Sequence, residues 1–176
     1  MRSIEKGNPD YSVPPTADVG YPLDPPGDVP MPMLHDSTCR SDIVTRVRSL
    51  RADSPRRWGK MSVDQMLWHV NCALENALGQ RDIPRAKIPI PRPVLKFMVM
   101  HLPWQKGNPT APELVASSHH DFDAERERCV TLIEAMAAKS IEAPWAEHPA
   151  FGRMSGKDAS RLHAKHLNHH LTQFGT

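Results

Sequence analysis

Apolar positions recur at helical spacing in four parts of the chain. The first stripe shares one helical face and comprises Ile43, Val44, Val47 and Leu50. Ser54-Pro55 is expected to end that helix, because the residue before a proline disfavours helical backbone. The second helix is expected to begin at Ser62, which stands three residues before Gln65 in capping-box spacing, and to end at Gly79.

Two more helices are predicted in the second half of the chain. The third starts near Ser118 or Asp121, and its buried side is expected to contain Phe122, Cys129, Leu132, Ile133 and Met136. The last helix starts at Ser155, a residue type that favours the N-cap, and stops at Gly175. Since no segment has a convincing strand pattern, the sequence predicts an all-α fold, a four-helix bundle.

Two other segments carry weaker patterns. The apolar run at 94–100, between Pro93 and Pro103, is interpreted as a short buried helix or turn. Four consecutive charged residues on the third helix are interpreted as a solvated face: Glu125, Arg126, Glu127 and Arg128.

Prolines dominate the start of the chain, where residues 1–35 hold 8 of the 18. Proline fixes φ and lacks an amide hydrogen, so it opposes both helices and central strands. We therefore expect residues 1–36 to form a proline-rich arm, extended or disordered, and residues 37–176 to form the helical domain. A length of 176 residues suits one such domain better than two.

Composition narrows the class of protein. With 22 basic and 20 acidic residues the net charge is +2, which gives no reason to expect nucleic acid or a membrane surface as partner. No apolar run has the length of a transmembrane helix, and no apolar stretch of the kind found in a signal peptide follows the first residues. Three cysteines without a CxxC pair suggest reduced thiols, and we expect a cytoplasmic protein. A homodimer and a small-molecule substrate are left open.

Histidines are concentrated on the last helix. At about 100° per residue, His163, His166 and His170 lie within roughly 60° of one another, on the face that Leu167 borders. Burying imidazoles together is costly unless their nitrogens are satisfied, and histidines at i and i+4 can meet one ion. His69 shares one face of the second helix with the apolar residues Met66, Val70, Ala73 and Ala77. It could supply a third nitrogen, leaving a fourth coordination position for water.

Other interpretations of these histidines stay open at this point. A single histidine in an apolar stripe is often a hydrogen-bonded core residue, and the cluster on the last helix could be a solvated face. His169 lies off the shared face and is expected at the surface or beside the site.

Several motifs then resemble a known group of proteins. The last-helix pattern His166-x-x-His169-His170-x-x-Gln173 and the segments 58–62 and 65–69 resemble the DinB-like superfamily of four-helix metalloproteins, which includes the YfiT-like proteins. The segments 148–155, 169–175 and 108–113 resemble a subgroup described as a domain of unknown function. The resemblance covers about residues 38–175 and leaves the arm unexplained.

The resemblance implies one divalent ion, nickel or zinc, bound by His69, His166 and His170. Gln173 matches a family position; it would steady a neighbouring group or a bound water, or only pack at the helix end. His163 shares the ligand face and is a candidate fourth ligand or neighbour of the site, and His148 either hangs over the metal or serves a His-Pro turn.

Three functions follow from these observations. The first is a metal-dependent enzyme, either a transferase acting on thiols or small electrophiles, as the resemblance implies, or a hydrolase. The second is a non-catalytic metal-binding protein in sensing, storage or stress response. The third is a helical interaction module with structural histidines. A metalloprotease is disfavoured because the segment between His166 and His170 lacks the glutamate of HExxH.

Overall fold

A computed structural model of the chain describes residues 31–107 and 110–176. The regular secondary structure in this part of the chain is helical and comprises α1 (Ser37–Ser49), α2 (Val63–Leu78), α3 (Arg92–His101), α4 (Phe122–Ala138), α5 (Gly156–Gln173) and a short 3₁₀ turn at Pro112–Leu114. No strand occurs among the described residues, where an isolated bridge joins His148 and Gly152. The prediction of an all-α fold is therefore confirmed.

Local sequence signals set the ends of α2 and α5. The Ser62 amide donates to Gln65 Oε1 (3.1 Å) in the predicted capping box, and Gly79 ends α2 with a φ of 79°. At the start of α5 the Ser155 hydroxyl accepts the Asp158 amide (3.1 Å). These caps fix where each helix begins along the chain, and therefore which residues of α2 and α5 face each other.

Four of the helices surround one apolar core. α2 packs most extensively against α4 and also against α5, while α1 packs against α4 and α5. Fully buried side chains at the centre include Val47, Met66, Leu67, Val70, Leu74, Ile133, Met136, Leu167 and Leu171. Burial of each such side chain stabilises the fold by roughly 1.5–3 kcal/mol. The contact between α2 and α5 places the histidines of these two helices side by side.

Of the predicted arm at residues 1–36, residues 1–30 lie outside the part of the chain that the structure describes. Its last residues pack on the domain: Leu34 is fully buried, and the His35 ring bonds the Ser160 hydroxyl and the Lys139 carbonyl, both at 2.8 Å. No helix within the described ranges combines the length and the hydrophobicity needed to cross a bilayer.

The prediction that residues 94–100 are buried is wrong. The segment is helical as part of α3, but Val94 and Phe97 are 50% and 59% exposed, and Met100 is its buried residue. Polar contacts hold α3 to α5 instead: Lys165 Nζ donates to carbonyls at the end of α3, and Lys96 Nζ donates to Asp158 (2.7 Å). The helix therefore lies on the surface with part of its apolar side uncovered.

The charged run on α4 is only partly solvated. Glu125 is buried, and Asn71 Nδ2 donates both to its carboxylate (2.7 Å) and to its backbone carbonyl (2.9 Å). Arg128 pairs with the buried carboxylate of Glu75 on α2. A buried charge is tolerated only with such partners. Both pairs join a residue of α2 to a residue of α4, so they belong to the interface between these helices.

Candidate metal centre

Three imidazoles converge where α2 meets α5. Their ring centroids lie 5.0 Å apart for His69 and His166, 4.9 Å for His69 and His170, and 4.8 Å for His166 and His170. One nitrogen from each ring lies within 4.8 Å of the other two. His166 and His170 are one helical turn apart on α5, and α2 brings the third ring from the facing side. The structure thus brings together the three residues that the sequence singled out.

The tautomer of His69 is set by a backbone carbonyl. Its Nδ1 lies 2.9 Å from the carbonyl oxygen of Leu114, in the 3₁₀ turn. A carbonyl can only accept, so Nδ1 carries the hydrogen and Nε2 keeps its lone pair. That Nε2 points at His166 Nε2, 3.0 Å away. His69 therefore presents its unprotonated nitrogen to the centre of the cluster.

Gln173 sets the tautomer of His170 in a similar way. Gln173 Nε2 donates to the Trp58 carbonyl oxygen (2.8 Å), which fixes the side-chain amide so that Oε1 faces His170. Oε1 then accepts from His170 Nδ1 (2.9 Å), so Nε2 of this ring also keeps its lone pair. Hydrogen bonds of this kind to the second nitrogen typically orient histidine ligands in metal sites.

Burial keeps these rings neutral. His69 and His170 are 2% and 7% exposed. Loss of solvation and the neighbouring His69 lower the pKa of His170 from 6.5 to about 3. The same burial lowers the pKa of His69, and burial together with the adjacent imidazoles lowers that of His166 well below its ordinary range. Neutral imidazole is the form that binds metal, so at neutral pH the three rings are in the protonation state that a metal site requires.

The donor set fits a divalent ion. Imidazole nitrogens bind zinc at about 2.0–2.1 Å, which places two nitrogens of one site roughly 3 Å apart, and the Nε2 atoms of His69 and His166 are separated by 3.0 Å. Nitrogen ligands suit nickel, copper and zinc, whereas calcium and magnesium prefer oxygen. Among the described residues, no carboxylate joins this cluster to favour those harder ions.

His163 is buried on the same face of α5 but stands apart from the three rings. Its centroid is 6.4 Å from that of His166, and it is not one of the residues whose nitrogens converge. Its Nδ1 has no hydrogen-bond partner among the described residues. Burial lowers its pKa to about 3, and the ring faces a small cavity shared with Asn76, Trp145 and His148.

His148 serves the turn that leads into α5. Its Nδ1 accepts the amides of Ala150 (3.1 Å) and Phe151 (3.3 Å), and its ring stacks on Phe151 with centroids 4.2 Å apart. Of the two alternatives, a lid over the metal or a His-Pro turn, the structure has the turn. His148 is not one of the converging residues.

Some neighbours of the cluster have no signal in the sequence. Trp104 packs on His166 (centroids 5.7 Å apart), and the half-buried His169 lies against both Trp104 (5.5 Å) and Trp58 (5.8 Å). The carbonyls of Leu114 and Trp58 act through backbone atoms, which no residue type reveals. Trp58 does stand within one of the motifs that carry the family resemblance, and Trp104 stands in none.

Comparison with known proteins places the chain at the level of a family. A family model described as "Protein of unknown function (DUF1569)" matches residues 35–176. The chain belongs to this family. The match begins at His35, so the DUF1569 domain includes the segment that packs ahead of α1 as well as all three converging histidines. No curated protein and no solved structure is similar enough to count as a match.

The DUF1569 match confirms the expectation that the domain belongs to a family of unknown function. Part of one supporting motif, Asn108-Pro109, lies outside the described residues.

Proposed function

We propose that this DUF1569 domain is a DinB-like four-helix metal-binding protein whose ligands are His69, His166 and His170. The observation that carries the proposal is the pair of fixed tautomers. Leu114 and Gln173 take the Nδ1 hydrogens of two rings, which leaves two Nε2 lone pairs directed into a cluster of three imidazoles. The packing of α1, α2, α4 and α5 around one core supports the DinB-like assignment.

Nickel or zinc is the proposed ion. All three ligands are neutral nitrogens, and neither a thiolate nor a carboxylate belongs to the cluster. Such a set disfavours calcium and magnesium, which prefer oxygen ligands. The free thiols of Cys39, Cys72 and Cys129 suit a reducing compartment, and we propose that the protein acts in the cytoplasm.

A catalytic role is the second candidate, and the number of ligands favours it. Three protein ligands are typical of catalytic zinc sites, whereas structural sites usually have four, and His163 stands outside the cluster. A divalent ion with three imidazole ligands supplies Lewis acidity, which lowers the pKa of a water or thiol that binds beside it. The DinB-like resemblance then supports transfer reactions of thiols or small electrophiles, or hydrolysis. A non-catalytic metal-binding protein is the alternative.

Elemental analysis tests the proposal. Untagged full-length protein, purified without chelator and then equilibrated with nickel or zinc, should hold one ion per chain. His170→Ala should reduce this content to background while circular dichroism shows that the helices remain. His148→Asn is the matched control, since it removes a half-buried histidine outside the cluster and keeps an acceptor for the turn. Equal metal content in His170→Ala and the unchanged protein would contradict the proposal.

Exchange at the remaining coordination position separates the catalytic candidate from the non-catalytic one. Cobalt-substituted protein should change its visible spectrum when azide or a small thiol is added if the position is open. A spectrum that neither compound changes would favour a closed, non-catalytic site.

A further inference from the structure

The turn before α2 lies against the end of α5. The Arg57 amide donates to the Gln173 backbone carbonyl (2.7 Å), and the Trp58 carbonyl accepts from the Gln173 side chain (2.8 Å). Two consecutive residues of the turn thus bind the same residue of α5. Gln173 is only 3% exposed, so water contributes little to fixing its amide. The amide therefore connects the Trp58 carbonyl to the ring of His170.

Gly59 completes this contact. Its φ of 81° is a conformation that residues with a side chain rarely adopt. A Cβ at this position would also lie 2.5 Å from Gln173 Nε2, much closer than such atoms approach. Even the smallest side chain at position 59 would displace the amide of Gln173. Because the opposite end of that amide bonds His170 Nδ1 (2.9 Å), the displacement would reach the ring.

We infer that the Trp58–Gly59 turn is a positioning element of the metal centre. Trp58 fixes which way the Gln173 amide points, Gly59 leaves room for it, and Gln173 then holds His170 with Nε2 directed at the cluster. The effect on metal affinity rests on the proposed function, whereas the effect on the tautomer of His170 does not require an ion. Outer hydrogen-bond partners of histidine ligands typically change metal affinity about 10–100-fold.

The competing explanation is that Gln173 only closes the end of α5. In that case its loss would lower the stability of the fold without changing the protonated nitrogen of His170. Ser160→Ala provides a matched control on the same helix, because Ser160 is fully buried and bonds His35 away from the cluster. This variant should lose stability while both the tautomer of His170 and the metal affinity stay as in the unchanged protein.

The first test uses metal-free, full-length protein with ¹⁵N-labelled histidine. Long-range ¹H–¹⁵N spectra should show His170 with its hydrogen on Nδ1, and Gln173→Met or Gly59→Ala should shift it towards the Nε2–H form. Gln173→Glu keeps an acceptor for Nδ1 and should keep the original tautomer. An unchanged His170 spectrum in folded Gln173→Met and Gly59→Ala would overturn the inference.

The second test measures zinc affinity by competition with a chromophoric chelator. Gln173→Met should weaken binding about 10–100-fold. Gly59→Ala should weaken it as well, and the double variant should bind no more weakly than Gln173→Met alone, because Gly59 acts through Gln173. If the losses of zinc affinity in the two single variants added up in the double variant, Gly59 would not act through Gln173. If the unchanged protein bound neither zinc nor nickel, the proposed function would be refuted, and the tautomer experiment would still decide the role of the turn.

Discussion

The Nε2 atoms of His69 and His166 face each other 3.0 Å apart across the contact between α2 and α5. The first of these atoms carries a lone pair, because the hydrogen of that ring is held on Nδ1 by the Leu114 carbonyl. Without an ion, His166 must direct a hydrogen at this lone pair. An ion between the two atoms would take the lone pairs of both rings.

Binding of zinc or nickel should stabilise the fold. An ion that binds only the folded protein adds about 2.7 kcal/mol at a free concentration one hundred times Kd. For a chain of this size we expect the melting temperature to rise by about 5–10 °C. Differential scanning fluorimetry with and without the ion measures the shift, and EDTA should reverse it. His170→Ala should show no shift, and a rise equal to that of the unchanged protein would exclude this residue as a ligand.

Acid should destabilise the metal-free protein partly through His148. Burial lowers the pKa of this residue from 6.5 to about 4 in the folded state, whereas the unfolded chain is expected to protonate near 6.5. Between these values the unfolded state binds more protons, so the free energy of unfolding falls as the pH falls from 6.5 to 4. The buried imidazole of His163 faces the same cavity and adds to the trend with a pKa of about 3.

His148→Asn isolates this contribution. The asparagine keeps an acceptor for the turn but cannot protonate, so the variant should lose about 1–2 kcal/mol less than the unchanged protein between pH 6.5 and 4.5. Urea unfolding at both values measures the difference. If both proteins lost the same unfolding free energy between pH 6.5 and 4.5, protonation of His148 would not be a cause of the acid sensitivity.

The buried carboxylate of Glu125 should contribute more to the stability of the fold than the exposed carboxylate of Glu127, which is also on α4. Glu125→Ala leaves the Asn71 amide without its carboxylate partner inside the contact between α2 and α4, and should cost about 2–4 kcal/mol of unfolding free energy. The matched control is Glu127→Ala. The carboxylate of Glu127 is exposed, and it lies 3.7 Å from Arg126 in a long ion pair. Its effect should stay within about 0.5 kcal/mol. Equal losses in the two variants would place Glu125 at the surface.

Position 100 should be the most sensitive apolar position of α3. Met100→Ala removes a buried side chain, which typically costs about 2–5 kcal/mol. Phe97 is 59% exposed and lies beside His101, so Phe97→Ala should cost less than about 1 kcal/mol. Chemical denaturation of both variants gives the comparison. A large loss for Phe97→Ala would mean that this side of α3 is covered in solution.

The sequence predicted those features that depend on local rules. Ser62, Gly79 and Ser155 mark helix ends by their capping chemistry, so the limits of α2 and α5 could be read directly. Helical periodicity likewise placed His166 and His170 on one buried face, because that relationship lies within a single helix. The pairing of α5 with His69 needed the additional resemblance to a known family.

Features that depend on tertiary packing could not be read from residue types. The apolar run of α3 looks buried in the sequence, yet no other helix covers Val94 and Phe97. The charged neighbours of Glu125 in the sequence suggest an exposed residue, yet Glu125 is buried between α2 and α4, where it accepts a hydrogen bond from Asn71. The carbonyl of Leu114 acts on His69 only because an irregular segment passes that point, and irregular segments have no periodicity to predict their course.

An anomalous-scattering map of crystals equilibrated with zinc or nickel tests the central claim most directly. The account predicts one peak per chain between α2 and α5, about 2.0–2.1 Å from the Nε2 atoms of His69, His166 and His170. No peak at these three nitrogens, or a peak that lacks one of them, would contradict the account.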